Sequence, residues 1–348
     1  MNQSLRIMMA WSLVIASGMS RAAETMSFDD WSLRVFSHFE AAAGDKELFS
    51  NDLSLGESAL FLTGRLSSRW SFLSEVSFQP KKYRDDTVKV ERARFKYQIS
   101  SNHWFSFGKM HTPVNEWNDS YHHGRLFFPT IERPQSFSEF VPIHEVGLRF
   151  SGEGLGARNA FYDVVVGSGQ SAHDDIFPNG ARSLTVSGGL WIKDNLKWRV
   201  SVYRDKLIDY MASESHGVLV DMSSAAQSND LEYTAYGSSL YYSGSKVDAK
   251  AEAYIFKPEG AKSSYSLFQR LGLPLTANLT PYVFFDFLRV DASEHHFAEG
   301  YSRKAGLGLE WLTGATSSLK LELINQDIDR KNKREDGAVV KLQFAVGI

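Results

Sequence analysis

The sequence predicts an all-β fold, a transmembrane antiparallel β-barrel of about sixteen strands. Three observations carry this. Period-two alternation recurs through the chain with almost no helical periodicity. The connections alternate between short turns and long loops. The first residues have the layout of a secretory leader.

The leader comes first. "MNQSLRIMMAWSLVIASGMSRAAE" carries Arg6 in a short n-region and an apolar stretch from Ile7 to Ala16. Ser20 and Ala22 follow as the small residues of a cleavage site. Residues 1–22 are expected to be removed as a signal peptide, leaving 23–348 as the barrel. Loss of Arg6 and Arg21 takes the net charge from -3 to about -5. This balance is too close to neutral for a nucleic-acid binder. Absence of cysteine removes disulfide scaffolds, thiol nucleophiles and Cys-ligated zinc. No segment has about 18 consecutive apolar residues, so a membrane-crossing chain has to cross by strands.

The strands are expected near 28–43, 56–66, 69–79, 88–99, 103–110, 144–152, 158–168, 182–193, 196–205, 231–243, 246–256, 263–271, 280–289, 302–312, 317–325 and 337–348. The last is the clearest. Val340, Leu342, Phe344, Val346 and Ile348 share one face, with Lys341, Gln343, Ala345 and Gly347 on the other. Leu319, Leu321 and Leu323 alternate with Lys320 and Glu322 in the same way. Short connections include 67–69, 193–195, 243–245 and 312–318. Long ones include 44–55, 111–143, 169–181, 206–230, 290–301 and 326–336. Tight turns at one end and long loops at the other fit a barrel with both termini in the periplasm. The charged stretches 79–86 and 326–336 read as outer loops. Trp31, Trp70, Trp104, Trp191, Trp198, Tyr241, Tyr242 and Trp311 stand at strand ends, where aromatic girdles would meet the membrane interfaces.

With these features the chain resembles a Gram-negative outer-membrane porin. "FGKMHTP" (107–113) also looks like a Gly-Lys-x-x-x-Pro element of some phosphate-selective porin-like families, through Gly108, Lys109 and Pro113. The usual porin terminus is aromatic, whereas this chain ends in Ile348. The resemblance implies residence in outer-membrane lipid, insertion by the barrel-assembly machinery, a homotrimer, and a passive channel for small hydrophilic solutes or ions, without a cofactor. It also implies that the third long loop, 111–143, folds into the barrel as a constriction. Glu116, Asp119, His122, His123, Arg125, Glu132 and Arg133 are among its charged and imidazole groups. Adjacent histidines point apart on an extended chain, and the nearby carboxylates lack ligand spacing, so no metal site is expected.

Alternation assigns the expected pore lining. On "ERARFKYQI" it turns Arg92, Arg94 and Lys96 inward and Ala93, Phe95 and Tyr97 outward. Arg34, Arg65, Arg149 and Arg199 are further inward cations, and Glu75 and Asp163 inward acids. The modest cationic excess leans towards anions. No G-x-S-x-G, H-E-x-x-H or phosphate-binding glycine loop supports an enzyme. A barrel plugged by its own loops, serving as receptor, adhesin or structural protein, is the alternative reading.

Overall fold

The computed structural model describes residues 30–44, 54–78, 88–121, 125–137, 140–170, 182–207, 231–293, 297–331 and 333–348. The leader and His122 and His123 lie outside them. The strands are β1 (Trp31–Gly44), β2 (Ser54–Leu55), β3 (Ser58–Arg65), β4 (Trp70–Phe78), β5 (Val88–Ser100), β6 (His103–His111), β7 (His144–Leu155), β8 (Ala160–Gly167), β9 (Ser183–Lys193), β10 (Leu196–Leu207), β11 (Leu231–Ser243), β12 (Asp248–Pro258), β13 (Ser264–Gly272), β14 (Leu279–Val290), β15 (Gly300–Gly314), β16 (Ser317–Arg330) and β17 (Lys333–Gly347). One helix, α1, spans Asn115–Ser120.

Each strand pairs antiparallel with its neighbours, and β1 pairs with β17 to close the sheet. The two-residue β2 continues the line of β3 along β1, so the barrel has sixteen staves. Closure removes the free edges that an open sheet would present, and every stave finds its ladder partners. At the seam, Gln343 donates from Nε2 to Glu40 Oε1 across 2.7 Å inside the barrel. Outside, Phe39 opposes Phe344.

Alternation sorts the two faces. Leu321, Leu323, Leu307, Val340 and Leu342 are exposed on the outer wall, whereas Lys320 and Glu322, which alternate with Leu321 and Leu323 on β16, are fully buried inside. Lipid would cover the first set. The aromatic expectation is corrected at three positions. Trp104, Trp191 and Tyr241 point inward: Lys96 Nζ lies 4.3 Å from the Trp104 ring centre, Lys197 Nζ 5.8 Å from that of Trp191, and the Tyr241 hydroxyl donates to Glu252 at 3.0 Å. Lumen cations lie near two of these rings, which strand-end position alone does not reveal.

The stretch 326–336 is not a long loop. β16 runs to Arg330 and β17 starts at Lys333, so the charges ride on a hairpin. Connection 259–263, at the same end, is also short. Alternation of hydrophobicity fades where both faces meet water, although the ladder hydrogen bonds continue.

A barrel wall has no second layer to pack against, and the apolar core here lies in the lumen. Trp117, Phe128, Phe137 and Ile143, from the segment between β6 and β7, pack against Phe268 of β13. Val114, Phe140 and Val141 pack against Tyr203, Tyr233, Tyr254 and Phe256 of the wall. Each fully buried large side chain contributes roughly 1.5–3 kcal/mol.

Gly108 of β6 is a backbone position that admits no side chain. Its φ is +115°, and a Cβ would stand 2.1 Å from the carbonyl oxygen of Ala93 on β5. Gly108→Ala is expected to cost about 1–3 kcal/mol and to lower the temperature at which the folded barrel loses its compact gel mobility. An unchanged midpoint would refute the close approach of β5 and β6.

Candidate functional site

The segment 112–143 enters the barrel through a narrow neck. Thr112 N–H donates to the Ile143 carbonyl at 3.1 Å, and Asn118 Nδ2 donates to the Thr112 carbonyl at 2.6 Å. Asn115 follows in a left-handed conformation, φ 58°, which asparagine tolerates. Helix α1 starts there with no side-chain cap of its own. Its first amides find the wall instead: Asn115 N–H donates to Ser201 Oγ at 3.3 Å, and Trp117 N–H to Glu252 Oε1 at 2.6 Å. Strands β10 and β12 therefore do the capping that the segment lacks.

Two wall carboxylates take further amides. Ile131 N–H donates to Glu322 Oε1 and Gln135 N–H to Asp286 Oδ2, both at 2.8 Å. Ion pairs complete the attachment. Glu132 accepts from Lys304 at 2.5 Å and also binds Lys341. Arg133 reaches Glu57 at 3.8 Å and lies over the rings of Phe128 and Phe137. Glu116 pairs with Lys197 at 2.7 Å and Arg199 at 3.3 Å. Asp119 pairs with Arg199 at 2.9 Å and Arg149 at 3.2 Å. Arg125 opens a 3-10 turn, Arg125–Phe127.

The inner-wall charges divide into two groups. Arg92 is paired with the buried Glu75, and Arg149 with Asp163 at 2.7 Å as well as with Asp119. Arg199 is held by Glu116 and Asp119. These cations are neutralised where they stand. Arg34, Arg65, Arg94 and Lys96 make no ion pair among the described residues. Arg65, Arg94 and Lys96 line one cavity of about 390 Å³, in which Asp30 is the only carboxylate among the described residues. The register explains the grouping: Arg65 opposes Ser71, Ser71 opposes Lys96, and Leu73 opposes Arg94. Serine and leucine thus stand where acids would have neutralised them.

No family model matches the chain, and no curated protein matches it. Solved structures do. OmpF of Salmonella typhi, in complex with daunomycin, matches with a TM-score of 0.63 at 8% identity, over 93% of this chain and 100% of that one. OmpT, an outer membrane protein of Vibrio cholerae in its trimer form, gives 0.62 at 12% identity, over 91% and 99%. An anion-selective porin from Comamonas acidovorans gives 0.57 at 11% identity, over 91% and 98%. The chain has the porin fold. At these identities the likeness carries architecture and nothing about solutes.

Within this porin-fold barrel, reading single residues for function missed Lys197 and Arg270. Lys197 lies two residues from Arg199 on β10, so the same period-two parity marks it. Arg270 joins Asp248 (2.6 Å) to Glu310 (3.4 Å) on the far wall; its signal is the inward parity it shares with Phe268.

The carboxyls of the inserted segment respond to their partners. Burial alone would raise Asp119, but Arg149 and Arg199, with His111, hold it well below the usual carboxylate range. Burial is likewise outweighed at Glu132, where Lys304 and Lys341 hold the carboxyl well below its ordinary value. A carboxylate depressed by folding contributes fully above its unfolded pKa and loses that contribution only as pH falls through the folded value. The ion pairs of Asp119 and Glu132 are therefore expected to persist unchanged between about pH 5 and 8. In reconstituted protein the conductance change caused by Asp119→Asn should therefore be the same at about pH 5 and pH 8, and an effect that vanishes towards pH 5 would refute the Asp119 anchor.

Proposed function

We propose that the chain is a passive outer-membrane channel for small hydrophilic solutes, leaning towards anions. It is exported by a leader ending at Ala22, inserted by the barrel-assembly machinery and assembled as a homotrimer. The reading has no catalytic step and no cofactor. Residues 111–143 act as the constriction, with Glu116, Asp119, Glu132 and Arg133 fastening it to the wall.

One observation carries the anion lean: Arg65, Arg94 and Lys96 share a cavity with a single lining carboxylate, Asp30, and make no ion pair among the described residues. Unneutralised cations beside a low-dielectric wall raise the local anion concentration. The likeness to an anion-selective porin supports the barrel and leaves the selectivity to these residues.

The plugged-barrel reading draws on a different observation, the filling of the lumen by Trp117, Phe128, Phe137 and Phe140. Planar-bilayer recording separates the two. Purified protein is expected to give discrete ohmic steps, with a reversal potential of anion sign under a potassium chloride gradient. Correctly inserted protein that gives no steps would favour the plug, and a cation-sign potential would remove the anion lean.

A further inference from the structure

On the outer wall, the apolar band ends at a charged groove of about 750 Å³ at the loop end of β14–β17. The outward side chains of β14 run Val283, Phe285, Phe287 and then Arg289. Those of β15 run Leu309, Leu307, Ala305, and then Arg303 and Tyr301. Those of β16 run Leu321, Leu323, Asn325, and then Asp327 and Asp329. Phe287, Arg289, Tyr301, Asp329, Lys331 and Arg334 line the groove.

Most of its charges have internal partners. Arg334 holds Asp329 at 2.9 Å, Arg330 donates to the Ala298 carbonyl at 2.8 Å, and Asp291 accepts from the Ser293 amide and hydroxyl. Arg289 and Lys331 are exposed and make no ion pair among the described residues; Arg289 donates to the Tyr265 hydroxyl at 3.4 Å and acts electrostatically on Asp291. Glu299, the third lining carboxylate, makes no ion pair among the described residues.

We propose that this groove binds the phosphate headgroup of a lipid in the adjoining leaflet, with Arg289 and Lys331 as its ligands. The inference rests on the membrane-barrel reading above. Continuity with the apolar band selects a lipid over free phosphate, because acyl chains on Phe287, Leu307 and Leu323 would bring a headgroup to the level of Arg289. Guanidinium and ammonium groups at that level complement a phosphate monoester.

The test uses the full-length mature barrel in phosphatidylcholine nanodiscs containing phosphatidic acid. Lipids retained after detergent extraction are counted by native mass spectrometry. Wild type should retain phosphatidic acid preferentially, and Arg289→Gln and Lys331→Gln should each reduce that preference about fivefold. Glu299→Gln should strengthen it by removing a competing charge. All variants should keep wild-type bilayer conductance, since these residues are outside the lumen. Equal retention by wild type and the double variant, or complete displacement of the lipid by millimolar inorganic phosphate, would overturn the proposal. A wild type that does not insert would instead sink the membrane reading on which it rests.

Discussion

Asp119→Asn should loosen the lumen segment while the barrel wall stays intact. Three carboxylates, Asp119, Asp163 and Glu116, face three cations, Arg149, Arg199 and Lys197, in one largely buried cluster. Its charges balance. Asparagine keeps the size of the side chain and removes one negative charge, so the cluster becomes cationic next to the unpaired Arg94. Removing one partner of a buried pair costs about 3–5 kcal/mol. At about 1.4 kcal/mol per tenfold, the lower end of that range raises the detached population of the segment about a hundredfold. The wall does not depend on this pair, because its ladders close without it. Open-channel current noise and mean conductance should therefore rise, while the heat-induced gel shift stays close to wild type. If noise, conductance and gel shift all match wild type, the cluster does not hold the segment.

The second large effect concerns selectivity. Replacing Arg65, Arg94 and Lys96 together with glutamine should move the reversal potential towards cations. Arg92 is left out, because it is paired with Glu75 and its loss would leave a buried acid alone. Arg94 and Lys96 are two residues apart on one strand, about 7 Å along it, and Arg65 is in register with Lys96 through Ser71. Three such charges beside a confined aqueous path can raise the local anion concentration by about tenfold or more. The effect should be largest in dilute salt and fade near 1 M, where the Debye length is about 3 Å. Glutamine keeps a polar inner face, so insertion should be normal. A triple variant with wild-type selectivity at low ionic strength would assign these cations to wall hydration alone.

How much of this could be read before folding differs by element. The inner parity of Arg92, Arg94, Lys96, Arg149 and Arg199 follows from period two, because one face of a barrel strand meets lipid and rejects charge. The partners of those cations do not follow. Asp119 meets Arg149 and Arg199 at separations of 30 and 80 residues. The register of the sheet and the inward course of the loop bring them together. A bulge at Glu75/Val76 gives β5 an extra residue and brings Glu91 to the buried Ser77 hydroxyl, a local irregularity that strict alternation cannot show.

By itself, the sequence determined the class of fold, the approximate number of staves, and, along the regularly alternating stretches, which side chains face lipid and which face the lumen. These are consequences of a two-residue repeat and of the cost of charge in hydrocarbon, and both act locally along the chain. Only the tertiary structure decided which cations are neutralised and which stay free, and that the charged 326–336 stretch is a hairpin. It also decided that Trp104, Trp191 and Tyr241 turn inward and that segment 112–143 is fastened across the lumen. Each of those depends on what stands opposite after closure, and strand register sets that at distances the local pattern does not reach.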